Sequence, residues 1–236
     1  MTNYLSSGIT GMVYLDSSSN TVIKYPHQEG EEPAVDVEKR IYERFQQHGG
    51  HEGLLKYYGP FESGIQLEYA SKNGLRQYIQ THEISTKQCL QWAQQVTSAL
   101  AFVHSMNVIH ADLTCANICL DDSLHPKLLD FSGSSLDDSK PFVVVTASHK
   151  YPGDDVKSTR TDLFALSSTL YEIFTGKPSY YDLGLKEMEI TDLFKQSKFP
   201  NTKSLGPMGD IITGCWQGEF ISANDVLKGV PLVNFT

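Results

Sequence analysis

His110-Ala111-Asp112-Leu113-Thr114-Cys115-Ala116-Asn117 and, after a short gap, Asp130-Phe131-Ser132-Gly133 decide how this chain reads. The stretch holds two carboxylates and one carboxamide at fixed separations: five positions from Asp112 to Asn117, thirteen from Asn117 to Asp130. Phosphoryl transfer asks a protein for little covalent chemistry. It asks for metal ions held between phosphate oxygens and a hydroxyl aimed at the terminal phosphate. An Asp that accepts the hydroxyl proton, with an Asn and a second Asp that hold the metal, meets that need.

Upstream of this stretch the chain is rich in β signals. Met12-Val13-Tyr14-Leu15 and Thr21-Val22-Ile23-Lys24-Tyr25 flank the turn-forming run Asp16-Ser17-Ser18-Ser19-Asn20, which predicts a hairpin. Val35 to Gln47 carries Val37, Ile41 and Phe45 at helical spacing and runs into Gly49-Gly50. Leu54 to Phe61 and Ile65 to Tyr69 predict two more strands, for five short strands and one helix in all. Beyond Tyr69 the pattern turns helical. Ser85 is placed to cap a helix with Leu90, Ala93, Val96, Leu100 and Val103 on one stripe. Thr161 to Thr175 is a second helix, with Gly176 and Pro178 at its end, and Lys186 to Lys198 a third. The expected fold class is therefore α+β, a β-rich lobe over residues 1–69 followed by a mainly helical lobe over 70–236.

Composition bounds the function without choosing it. The 236 residues suffice for a real core, and 40% hydrophobic content is ordinary. A net charge of −9 argues against a nucleic-acid backbone or an anionic membrane as a general partner. Cys89, Cys115, Cys119 and Cys215 make neither a disulfide framework nor a complete zinc motif, so reduced thiols are expected. The chain starts with no basic region leading into an apolar run, and no apolar stretch approaches the ~20 residues of a membrane span. The expected location is cytoplasmic or nuclear.

With these residues in place, the chain resembles the protein kinase family over nearly its whole length. His110 to Asn117 is similar to the family's catalytic loop, and Asp130 to Ser132 to its metal-binding Asp-Phe-Gly motif. Leu5 to Val13 resembles the glycine-rich phosphate loop, with Ser6 at the first glycine, then Gly8 and Gly11. Glycine suits places where backbone N–H groups must approach phosphate closely. The resemblance implies that Lys24 contacts the α- and β-phosphates and that Glu38 pairs with Lys24. It implies that Asp112 is the catalytic base and that Asn117 and Asp130 hold Mg²⁺ or Mn²⁺. Leu67 matches the gatekeeper. Backbone groups of Glu68 and Ala70 would bond adenine, and Val13, Val22 and Cys119 would sandwich the ring. Asp162 matches the buried aspartate that braces the catalytic loop, and Cys215-Trp216 a late helical pair. ATP as co-substrate and a protein as acceptor follow. Related small-molecule kinases share His-x-Asp-x₄-Asn, but Tyr171 to Tyr180 and the helix at Asp162 lean towards protein kinases. The His-Ala-Asp loop on a short chain looks somewhat like that of small fungal kinases.

Four departures bear on mechanism. Ala111 replaces the arginine that grips an activation-loop phosphate. The activation segment is then expected to be held by packing of Phe142, Val143, Val144 and Val145, without phosphorylation. Ser132 replaces the glycine of Asp-Phe-Gly and is expected to alter the loop without touching Asp130. Thr114 stands where serine/threonine kinases carry a lysine, and the tyrosine-kinase arginines are missing too. Tyr151-Pro152-Gly153 replaces Ala-Pro-Glu, and the arginine that pairs with its glutamate is absent near Ser222-Ala223. Thr146 is expected to bond Asp112, which favours Ser/Thr over Tyr acceptors. An active kinase is the expectation; the alternative is a pseudokinase serving as an interaction module.

Overall fold

The structure is a computed structural model, and it describes residues 2–28, 32–72, 74–137, 139–142, 145–153 and 158–232. Five strands, β1 (Thr2–Ser7), β2 (Met12–Asp16), β3 (Thr21–Tyr25), β4 (Tyr57–Phe61) and β5 (Gly64–Glu68), form one sheet in the order β1-β2-β3-β5-β4. Every neighbouring pair is antiparallel. Asp16 makes the β2–β3 hairpin turn: its carboxylate accepts from Ser18 N (3.0 Å), Ser18 Oγ (2.6 Å) and Ser19 Oγ (2.9 Å). Helix α1 (Glu32–Gln47) packs on the sheet through Val35, Ile41, Tyr42 and Phe45, all buried.

The remaining helices are α2 (Leu75–Thr81), α3 (Thr86–Ser105), α4 (Thr159–Thr175), α5 (Glu187–Lys195), α6 (Pro207–Gln217) and α7 (Ala223–Gly229). Ser85 caps α3 by accepting from Gln88 N at 3.2 Å. Gly176, in the left-handed region at φ 80°, ends α4. Helix α4 is buried on nearly every side from Asp162 to Leu170, which makes it the post around which α3 and α6 are arranged. Trp92 and Trp216 fill the space beside it. Their indole N–H groups donate to Leu124 O (2.7 Å) and Ser168 Oγ (3.0 Å), so neither buried polar tip is left unpaired.

Two expected elements are shorter than their sequence patterns. The strand expected from Leu54 begins at Tyr57, because Leu54 and Leu55 turn inward to the core and Leu54 bridges Leu128 instead. The helix expected to Lys198 ends at Lys195, where Ser197 takes φ 54° and Lys198 N turns back to Leu193 O (2.9 Å). Four two- or three-residue strands carry the functional loops: β6 (Val108–Ile109) with β9 (Ser135–Leu136), and β7 (Ile118–Leu120) with β8 (Pro126–Leu128). All four cysteines are free. Among the described residues no helix is long and apolar enough to cross a membrane.

Candidate active site between the sheet and the helices

Alternation along a strand puts residues two apart on one face, and antiparallel partners share that face. Lys24 pairs with Val13 across β2–β3, and Val22, two residues earlier, pairs with Leu67 across β3–β5. Val13, Val22, Lys24 and Leu67 therefore look out from one side of the sheet. Val22 and Leu67 are buried, while Val13, Ala70 and Cys119 are half-buried. The Glu68 amide donates to Lys56 O at 2.8 Å. Of the two hinge residues, Glu68 thus has its carbonyl, not its N–H, to offer a ligand. Ser6, near the end of β1, and Gly8, in the β1–β2 connection, are exposed, and the connection is closed by a turn from Gly8 N to Gly11 O (2.9 Å). Gly11 has a steric reason: a Cβ there would lie 2.3 Å from Tyr25 O.

Lys24 Nζ meets Glu38 Oε2 of α1 and Asp130 Oδ1, each at 2.7 Å. Burial works against the Lys24 charge, but the two carboxylates outweigh it and hold its pKa above the ordinary lysine value. Burial also pushes Asp130 up, and Lys24 with Ser132 overcomes this, so its carboxyl sits below the usual range. Glu38 does a second job: its Oε1 accepts from Phe131 N at 3.1 Å, tying α1 to the loop from Asp130 to Gly133. The fully buried Phe131 ring packs against His110, Tyr42 and Phe45, at centroid distances of 4.9, 5.5 and 5.2 Å.

The loop from His110 is hung on α4. Asp162, fully buried, accepts from His110 N (2.8 Å), Ala111 N (2.8 Å) and His104 Nε2 (2.9 Å). These bonds hold Ala111 at φ 67°, a conformation uncommon for a residue with a side chain. Leu113 and Cys115 anchor the next turn by full burial. Thr114 caps that turn, its hydroxyl accepting from Ala116 N at 3.2 Å. Asn117 Nδ2 donates to both Asp112 O and Asp112 Oδ2 at 2.8 Å. Asp112 is raised above the ordinary carboxylate value by burial, against the opposing pull of His110 and Asn117.

A cavity of about 290 Å³ joins the two sides. It is lined by Thr10 of the phosphate loop, Asp112, Asp130, Ser132 and the activation-segment residues Lys140 and Phe142. The donor set suits a hard divalent cation. Asn117 has its amide nitrogen spent on Asp112, which leaves Oδ1 as its acceptor, and Asp130 carries its Lys24 and Ser132 contacts on Oδ1, which leaves Oδ2. Among the described residues no three His, Cys, Asp or Glu gather as an all-protein metal cage. Mg²⁺ bound with phosphate and water needs none.

Three expectations are corrected. Ser132 does touch Asp130: Ser132 Oγ donates to Asp130 Oδ1 at 2.6 Å and lies 2.6 Å from Thr10 Oγ1. Thr146 is exposed, and the hydrogen bond on the Asp112 carboxylate comes from Asn117. Phe142, 79% exposed, does not hold the activation segment by packing; Val145 is half-buried, and Val143 and Val144 lie outside the described residues. Further holds on the segment are buried Ser134, whose hydroxyl donates to His110 O (2.9 Å), buried Leu136, Ala147 and His149, and Arg44 of α1. Arg44 grips Asp137 with two 2.6 Å bonds. The late arginine and its glutamate are both absent, and Arg160 does separate work. Arg160 at the start of α4 donates to Gly218 O (3.1 Å) and Gln217 O (3.2 Å) and lies over the Tyr151 ring at 5.4 Å. A cation thus satisfies the last carbonyls of α6, where the helix dipole favours one. Glu172 has its own partner, a two-bond grip by Arg76 at 2.6 and 2.9 Å.

The structure brings Lys24, Glu38 and Asp130 into direct contact, joins Asp112 to Asn117, and lines one cavity with Asp112 and Asp130. The sequence reading missed the contacts of Thr10 and Arg44. A hydroxyl in a loop or a cation on a helix carries no local signal of what it will reach 122 or 93 residues away.

Comparison with known proteins agrees with this arrangement. Residues 7–220 match the protein kinase domain. A probable serine/threonine-protein kinase of Dictyostelium discoideum is 32% identical over 145 residues, 56% of this chain and 29% of that protein. The serine/threonine-protein kinase RUNKEL of Arabidopsis thaliana is 32% identical over 146 residues, 55% of this chain and 10% of its own. The megakaryocyte-associated tyrosine-protein kinase of Rattus norvegicus is 27% identical over 177 residues, 71% of this chain and 37% of that protein. Each match spans well under half of the relative's length. With the domain matched from the phosphate loop to beyond α6, the chain belongs to the protein kinase family.

Proposed function

We propose that this chain transfers the γ-phosphate of ATP to a protein hydroxyl, on serine or threonine rather than tyrosine. The observation that carries the reading is the three-way contact of Lys24 with Glu38 and Asp130, facing Asp112 and Asn117. Lys24 binds α- and β-phosphate oxygens, kept in place by Glu38. Asn117 and Asp130 hold Mg²⁺ or Mn²⁺, which when bound neutralises charge on the phosphates. Asp112 accepts the proton of the incoming hydroxyl, its carboxylate oriented by the Asn117 amide. Val13, Val22, Leu67 and Cys119 enclose the adenine, with Glu68 and Ala70 bonding its edge. Thr114 is occupied in capping its own turn, so Lys140, which lines the cavity from the activation segment, supplies the positive charge that the family's catalytic-loop lysine would bring. Support for the acceptor type comes from the two 32%-identical serine/threonine relatives, set against the 27%-identical tyrosine kinase.

Calorimetry at millimolar nucleotide with Mg²⁺ comes first, followed by labelled ATP with a generic protein substrate and mapping of phosphorylated residues. Nucleotide binding with phosphoserine or phosphothreonine on the substrate is the expected result. Binding without transfer would leave a pseudokinase, and no binding would end the enzyme reading altogether.

A further inference from the structure

We infer that Ser132 is a positioning residue, one that orients the Asp130 carboxylate and clasps the phosphate loop to it; this deepens the kinase reading and rests on it. Ser132 is 4% exposed, yet its hydroxyl meets three polar atoms: Asp130 Oδ1 at 2.6 Å, Thr10 Oγ1 at 2.6 Å and Lys24 Nζ at 3.4 Å. A hydroxyl has a single proton. Since a carboxylate only accepts, Ser132 donates to Asp130, and the Thr10 hydroxyl must then donate to Ser132. The result is a directed chain from Thr10 through Ser132 to Asp130, of the kind in which each bond polarises the next. Its upper end is in the turn Gly8 to Gly11 at the tip of the phosphate loop. Its lower end fixes which Asp130 oxygen is taken, so that Oδ2 faces away from Lys24 and Ser132. Glycine, the family residue at this position, has no atom that could do either job. The backbone does not require glycine, since Ser132 is not among the residues at positive φ.

The clasp predicts a coupling between nucleotide-loop order and metal binding that removal of one oxygen should break. Three variants test it: Ser132→Ala, Thr10→Val, and Ser132→Thr, which keeps the hydroxyl and has the cavity beside it for the extra methyl. In nucleotide-free protein, amide hydrogen exchange across residues 8–11 should speed up about fivefold or more in the first two variants and stay near wild type in Ser132→Thr. Calorimetry should find Mg²⁺-ATP bound about tenfold more weakly by Ser132→Ala, the scale of one hydrogen bond to a charged group, with metal-free ATP binding unchanged. Unchanged exchange in Ser132→Ala would overturn the clasp. Equal loss of affinity with and without metal, or no loss, would overturn the positioning role. If wild-type protein binds no nucleotide, the kinase reading fails, while the exchange measurement still decides the clasp.

Discussion

Replacing Lys24 by Met would strand two carboxylates. Glu38 is 1% exposed at its side chain, so its charge would be left buried without a partner. Breaking a buried pair from one side costs about 3–5 kcal/mol, and urea unfolding of Lys24→Met should show a loss of that size. Lys24→Met combined with Glu38→Gln should recover most of it; no recovery would mean that Glu38 is not the charge being stranded. Asp112→Asn is the complementary change. It keeps an oxygen for Asn117 to bond and removes the proton acceptor, so transfer should fall by about 10²–10⁴-fold with ATP affinity near wild type. Lys140→Ala should cost transfer less, about tenfold, and Lys140→Arg should restore part of it; an unchanged rate would show that Lys140 only lines the cavity. At this scale the sequence was legible where spacing carries chemistry. Asp112, Asn117 and Asp130 are readable because their separations are local; Ser132 was readable as a departure, but its bond to Asp130 was not.

Elements were legible in proportion to their length. The hairpin at Asp16 to Asn20 and helices α1, α3 and α4 announce themselves by period and caps. Strands β6 to β9 are too short for alternation to show. Helix α6 hides behind Gly209 and Gly214, poor helix formers kept by close packing: a Cβ on Gly209 would lie 2.2 Å from Thr202 O. The end of that helix offers a test. Gly218 sits at φ 76°, and a Cβ there would fall 1.3 Å from an Arg160 guanidinium nitrogen. Gly218→Ala should therefore be destabilised by more than the ~1 kcal/mol of a left-handed residue alone, because Arg160 must also leave the α6 carbonyls. Arg160→Ala should lose about 1–2 kcal/mol and make the further change Gly218→Ala milder. Additive losses in the double variant, measured by thermal unfolding, would contradict the contact.

Across the whole molecule, pH reports how the activation segment is docked. His149 is buried and pulled down to about 3 by burial and by nearby Arg76. Glu172 lies 3.9 Å away, but its charge is already taken by Arg76, which is why it does not hold a proton on the ring. In the unfolded chain a histidine titrates near ~6.5. Between those values the unfolded state binds the extra proton, so stability from this site is present above ~6.5 and is lost as pH falls, by up to about 1.4 kcal/mol per pH unit. His149→Phe should flatten that part of the curve; an unchanged slope would place the acid sensitivity elsewhere. Because Arg44 already holds Asp137, and Ser134 the catalytic loop, phosphatase treatment should leave initial rates within about tenfold of untreated enzyme. The packing of Arg160 into the space beside Gly218 also has a historical consequence. The dependence runs one way: Arg160 needs the room that a missing side chain leaves, whereas Gly218 keeps its own backbone reason at φ 76° whatever stands at 160. Across this chain's descendants and sister genes, arginine at the first position should therefore occur only with glycine at the second, while glycine should outlast loss of the arginine.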